Sequence, residues 1–108
     1  MNSANAEPYE EALVTGKPVF LYLHTSYCGY CKKFDPIYEK LVQSYKNCQF
    51  VKVSAETLYG NSLMRSFKAN YIPYVVLVDS KKQIMTTIQP ECLLDYVCVE
   101  KELRHFMK

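Results

Sequence analysis

Apolar residues recur along this chain with two different periods, and the places where the period switches divide it into strands and helices. Val19-Phe20-Leu21-Tyr22-Leu23 is an unbroken β-rich run behind Pro18, which predicts a buried strand over 19–25. From Cys28 to about Tyr45 the spacing changes. Phe34, Ile37, Tyr38, Leu41, Val42 and Tyr45 recur at three- and four-residue steps, while Lys33, Glu39, Lys40, Gln43 and Ser44 fill the other face of an amphipathic helix. Gln49–Ser54 alternates and is β-branched, predicting a second strand that the intervening helix makes parallel to the first.

The flanking segments read in the same way. Pro8, Tyr9, Ala12, Leu13 and Gly16 mark a short helix, with proline in the first turn and glycine at the exit. Asn61 is expected to cap another that turns Leu63, Met64 and Phe67 inward and leaves at Ala69-Asn70. Tyr74–Val78 and Gln83–Ile88, joined by Asp79-Ser80-Lys81-Lys82, predict a hairpin and an antiparallel sheet edge. Pro90 opens a last helix, expected to point Cys92, Tyr96, Val99, Leu103 and Phe106 inward.

Composition narrows the function classes. At 49% hydrophobic, 108 residues suffice for one modest core, so residues 8–108 are expected to form a single domain behind a flexible 1–7. A net charge of +2 with dispersed Lys and Arg gives no basic block, which argues against nucleic acid, and no apolar run approaches the ~18 residues of a membrane helix. Five cysteines leave at least one thiol unpaired, which points towards a reducing, cytoplasmic setting. Ala4-Asn5-Ala6 also reads like a small-residue cleavage site, and a removed leader would place the protein in the cell envelope; a native flexible start is the plainer reading.

Candidate chemistry concentrates in Ser26-Tyr27-Cys28-Gly29-Tyr30-Cys31-Lys32-Lys33, where a strand gives way to a helix. The first N–H groups of a helix lack internal partners and carry partial positive charge. Helix N-termini and nearby lysines lower cysteine pKa values from about 8.5 into the range ~3.5–7.5, and Lys32 and Lys33 lie close. Cys28 is therefore the expected nucleophile. Cys31, three residues on along the same helical face, is the expected resolving thiol, placed to attack a mixed disulfide. A metal site built on Cys28, Cys31 and His24 is the competing reading, but structural zinc normally takes four ligands and no second Cys-x-x-Cys exists. Haem attachment would need His at position 32, which is Lys. Cys92 is expected to be a buried free thiol, and Cys98, six positions on and about 240° around one helix, could not bridge to it within that helix. Cys48 is expected to be packed, His24 partly exposed and His105 on the surface.

Tyr27-Cys28-Gly29-Tyr30-Cys31-Lys32 resembles the active site of the thioredoxin superfamily, and two more positions agree. Pro36 stands where that family kinks its active-site helix, and Ile72-Pro73 resembles its cis-proline, which faces the dithiol. The resemblance implies a thioredoxin-like α/β fold, a central mixed β-sheet flanked by helices on both faces. It implies thiol–disulfide exchange through Cys28 and Cys31 on protein disulfides, with Tyr27, Gly29, Tyr30, Ile72 and Pro73 contacting the substrate. It calls for no metal and no cofactor beyond the redox-active disulfide, for a monomer, and for an upstream reductase or membrane electron donor to recycle it. An intact dithiol with the proline opposite argues against a non-catalytic interaction module.

Direction is less marked. Gly29-Tyr30 is similar to the dipeptide of periplasmic disulfide isomerases, yet those add a dimerisation domain, so reduction is the expected direction, with isomerase or oxidase as the alternative. Departures from the pattern are Tyr27 where thioredoxins usually carry Trp, Gln89 where they usually carry Gly, and Tyr22 where they place a buried carboxylate. An unperturbed tyrosine, with a pKa near ~10, seldom accepts a proton at neutral pH. Slow resolution by Cys31 is therefore expected at neutral pH unless Lys52 or water supplies the missing base.

Overall fold

The computed structural model describes residues 7–108, so Ala4-Asn5-Ala6 and all of the expected flexible start except Glu7 lie outside the described residues. The elements run α1 (Pro8–Val14), β1 (Val19–His24), α2 (Gly29–Ser44), β2 (Gln49–Ser54), α3 (Leu58–Ser66), β3 (Tyr74–Asp79), β4 (Ile84–Thr87), α4 (Pro90–Leu93) and α5 (Tyr96–Phe106). Their strands form one mixed sheet in the order β2-β1-β3-β4. β1 runs parallel to β2, Val19 opposite Gln49, and antiparallel to β3, Leu23 opposite Tyr74. The hairpin β3–β4 makes the far edge, and most of β4 is exposed.

Alternation along the two central strands explains the layers. On β1, Phe20 and Tyr22 face one side with Val75 and Leu77 of β3, where Phe34, Tyr38 and Leu41 of α2 and Leu93, Val99 and Leu103 of α4 and α5 cover them. Val19, Leu21 and Leu23 face the other side, under Ala12 of α1 and Leu63 of α3. Because strand side chains alternate, a strand buried on both faces must be apolar throughout, and every residue from Val19 to Leu23 is fully buried. The expected α/β sheet with helices on both faces is the observed one.

Three local expectations are corrected. Asn61 lies inside α3; the cap is Thr57, whose hydroxyl accepts the Gly60 N–H at 2.9 Å, so the helix starts a turn earlier. The last helix is two. The chain breaks at Leu94, and Asp95 caps α5 afresh by accepting the Val97 N–H at 3.0 Å. That bend removes the angular argument against a bridge, which assumed one straight helix: Cys92 and Cys98 form a disulfide across it, with Cα atoms 5.4 Å apart. Cys92 is buried as expected, but it is not free. Closing so short a loop stabilises the fold by about 2 kcal/mol in the chain-entropy picture. The double variant Cys92→Ala/Cys98→Ala is therefore expected to unfold at lower urea, by a shift worth that amount; an unchanged midpoint would mean that capping and packing alone hold the bend.

Candidate active site

Cys28 is the residue on which α2 starts. It has extended backbone (φ −97°, ψ 108°), and its sulfur accepts the Cys31 N–H at 2.9 Å, filling the capping role that a hydroxyl or carboxylate usually takes. The sulfur thus receives a hydrogen bond from one of the helix's orphan donors, at the positive end of a 16-residue helix. Both effects favour negative charge there once the disulfide is opened. Cys28 and Cys31 are joined in a disulfide, their Cα atoms 5.1 Å apart. Their exposure differs: Cys28 is partly open to solvent, Cys31 is 3% exposed. Only the first sulfur is accessible to a large partner.

Pro36 sits inside α2, where it cannot donate the i→i−4 hydrogen bond to the Lys32 carbonyl, so the ladder is interrupted one turn past the dithiol. Facing the helix start, the Ile72–Pro73 peptide bond is cis, as the resemblance implies, and Pro73 is buried. Tyr30, Ile72 and Pro73 come together in an apolar groove of about 390 Å³, whose far wall is Pro90, Glu91, Leu93 and Leu94. Tyr27 and Gly29 do not line it. Tyr27 stands 90% exposed, and a Cβ added at Gly29 would meet nothing within 4 Å, so neither the ring nor the missing side chain is held by protein contacts. The α4 wall escaped the sequence reading because its residues were assigned to the first turn of one continuous core-facing helix; the exposed Leu94, 44% accessible, lies where α4 ends.

Two carboxylates also escaped notice. Glu56, after β2, accepts the Ser26 N–H at 2.9 Å and the Ser26 hydroxyl at 3.0 Å, which pins the loop leading into Cys28 and holds its carboxyl below the usual range. Asp35 is the second. Its Oδ1 lies 2.8 Å from the Tyr22 hydroxyl and 3.3 Å from the Lys52 ammonium. The Tyr22 hydroxyl is also 3.2 Å from the Cys31 carbonyl oxygen, so its single proton is shared between two acceptors. Burial, and then the bond to Asp35, push the Tyr22 pKa well above its ordinary value, so it stays protonated. The available signal was spacing: Asp35 is four residues after Cys31, hence one turn along the same helix face.

The remaining candidates fall out of the site. His24 is half-buried, and burial followed by the Lys52 charge lowers its pKa, leaving it neutral. His105 is exposed. Burial pushes the free Cys48 thiol up to about 12, which makes it inert. Among the described residues no group of three or more His, Cys, Asp or Glu could hold a metal ion, and no helix is long and apolar enough to cross a membrane.

Known proteins resemble this arrangement over most of its length. The chain is 31% identical over 80 residues to the thioredoxin-like protein HCF164 of Oryza sativa chloroplasts, covering 73% of this chain and 30% of that protein. A thioredoxin of Mycoplasmoides gallisepticum is 30% identical over 78 residues, 72% of this chain and 76% of its own. This chain thus spans under a third of the chloroplast relatives it matches and about three quarters of the bacterial one. Among solved structures, a thioredoxin from Nicotiana alata superposes with a TM-score of 0.76 at 17% identity, covering 93% of this chain and 82% of that one. Mitochondrial thioredoxin 3 of Saccharomyces cerevisiae gives 0.75 at 20% identity, covering 90% and 86%. The family model described as Thioredoxin matches residues 1–94, a span that carries the dithiol, the helix proline and the cis-proline together, and on that match the chain belongs to the thioredoxin family.

Proposed function

We propose that this protein is a thiol–disulfide oxidoreductase that reduces disulfides in protein substrates. The observation that carries the reading is the asymmetry of one disulfide: an accessible Cys28 sulfur at a helix N-terminus, bonded to a buried Cys31, beside an apolar groove. The reduced Cys28 attacks a substrate disulfide; Cys31 then attacks the mixed disulfide, releasing the second substrate thiol and leaving Cys28–Cys31 oxidised. The groove's apolar walls and the backbone at Ile72-Pro73 suit an extended peptide. The cysteines carry the electrons, so the reaction needs no separate cofactor, and an upstream reductase or membrane donor recycles the disulfide to the dithiol. A monomer suffices, because both sulfurs and the groove come from one chain.

Reduction is favoured over isomerisation or oxidation by the relatives, which are named as thioredoxins and thioredoxin-like proteins. The test is the potential of the Cys28–Cys31 couple, equilibrated against glutathione. A reductase is expected near the ~−270 mV of thioredoxins; a value at or above the ~−180 mV of protein disulfide isomerase would overturn the reductive direction.

A further inference from the structure

Cys92 and Cys98 form a disulfide that exchange at Cys28–Cys31 does not use, and its first half belongs to the helix that walls the groove. We propose that this bridge is a second redox-active disulfide, a regulatory one: a dithiol reductant opens it, and the opened bridge loosens the α4 wall so that Cys28 captures peptide disulfides less well. The effect on capture rests on the proposed exchange reaction; the opening of the bridge does not.

The bridge can be reached in the folded protein. Cys92 and Cys98 line a second cavity, of about 480 Å³, whose other walls include Thr86 and Thr87 of β4 and Glu102 of α5. Cys98 is half-buried while Cys92 is 8% exposed, so an attacking thiolate meets the Cys98 sulfur first. Glu91 is the one residue that lines both this cavity and the substrate groove, so α4 stands between them and a reductant here does not compete with a bound peptide.

The bridge also has a mechanical part to play. α4 is a single turn of four residues, too short to hold itself together, because nucleation fixes several dihedrals for one hydrogen bond. Gln89 gives it no side-chain cap, and the Cys92 and Asp95 N–H groups donate to the Gln89 and Cys92 carbonyls, within the same segment. Its outward ties are the fully buried Leu93 side chain and the bridge. Across the bridge, Cys98 is followed by Val99, which with Leu103 is fully buried and anchors α5. Opening the bridge frees the wall from that anchor while α5 keeps its place. Pro90, Leu93 and Leu94 then have no fixed position, and binding a peptide must also order them.

The step balances. One thiolate of the dithiol attacks the Cys98 sulfur, the Cys92–Cys98 bond breaks, and the Cys92 sulfur leaves with the electron pair and takes up a proton. The reductant's second thiol then attacks its own sulfur in the mixed disulfide and displaces the Cys98 sulfur, which takes up the other proton. The reductant is oxidised by two electrons to a disulfide, and the bridge is reduced by two to a pair of thiols.

Two measurements test this. In Cys28→Ser/Cys31→Ser the bridge is the remaining disulfide, and graded dithiothreitol without denaturant, followed by alkylation and peptide mapping, reads its opening. Cys92 and Cys98 are expected to become labelled while the amides of β1 exchange as slowly as before, and the amides of 89–95 to exchange faster by a factor on the order of 10. A bridge that resists until β1 loses protection, or that opens with no gain in exchange at 89–95, would overturn the proposal. Capture is read in Cys31→Ser as the rate of mixed-disulfide formation with an extended apolar peptide disulfide and with the small hydroxyethyl disulfide, which needs no groove. Adding Cys92→Ser/Cys98→Ser is expected to slow the peptide about tenfold and leave the small probe unchanged. Equal slowing of both probes, or of neither, would overturn the link to the groove. Failure of the bridged Cys31→Ser protein to react with either probe would instead overturn the exchange reaction, and the first measurement still decides whether the bridge opens.

Discussion

Cys28→Ser is expected to abolish reduction of a model protein disulfide, whereas Cys31→Ser keeps its attack and accumulates as a stable mixed disulfide with the substrate. The difference follows from the geometry of the pair. Serine at position 28 can still cap α2, since its hydroxyl accepts the Cys31 N–H as the sulfur does, so the fold is retained while the nucleophile is lost. Cys31 cannot take over, because at 3% exposure a large substrate cannot reach it. Serine at position 31 leaves the accessible sulfur and its hydrogen bond in place and removes only the second attack. Intact-mass measurement after mixing with substrate reads both outcomes: a stable adduct for Cys31→Ser, none for Cys28→Ser. Equal trapping by both variants would contradict the assigned order.

The largest loss of stability is expected at Phe34. This residue is fully buried three positions past Cys31 and holds α2 to the sheet, its ring edge-on to Tyr22 at 4.8 Å and stacked with Phe20 at 6.4 Å. Truncation to alanine removes the transfer free energy of the ring and leaves a cavity that the surrounding aromatics cannot fill without leaving their rotamers. Such changes cost roughly 3–5 kcal/mol, a large part of the ~5–15 kcal/mol that holds a typical domain folded. Urea unfolding of Phe34→Ala checks it. A loss below about 1 kcal/mol would show that α2 is held chiefly by its other contacts.

How far the sequence revealed this molecule depends on whether the determining contact is local. β1 was legible because burial on both faces demands an unbroken apolar run, and α2 because one face of a helix meets the sheet at a fixed spacing. The place of Cys28 and Cys31 at the start of that helix was legible for the same reason. The break at Leu94 was not, because inward positions continue in helical register on both sides of it and only the Asp95 cap marks the restart. Thr57 was passed over for Asn61 on similar grounds: both are capping residue types, and the choice rests on which side chain meets a free N–H. The Cys92–Cys98 bridge was misjudged through the same missing bend. Asp35 is the clearest case. Its meaning depends on Tyr22, thirteen positions earlier and on another element, and no local pattern joins the two.

Of the five cysteines, four are paired in the oxidised protein, and Cys48 alone is a free thiol, 5% exposed with its pKa pushed up to about 12 by burial. An alkylating reagent added to the oxidised protein therefore has a single place to react, and it can react only while the core around that sulfur is open. The rate at which label appears is then a clock for opening of the folded state, read without denaturant and at a native residue. The Cys28–Cys31 pair stays silent in that experiment as long as it remains oxidised. Substrates that close over the groove, or a severed α4–α5 bridge, would register as changes in how often the far side of the same core comes apart.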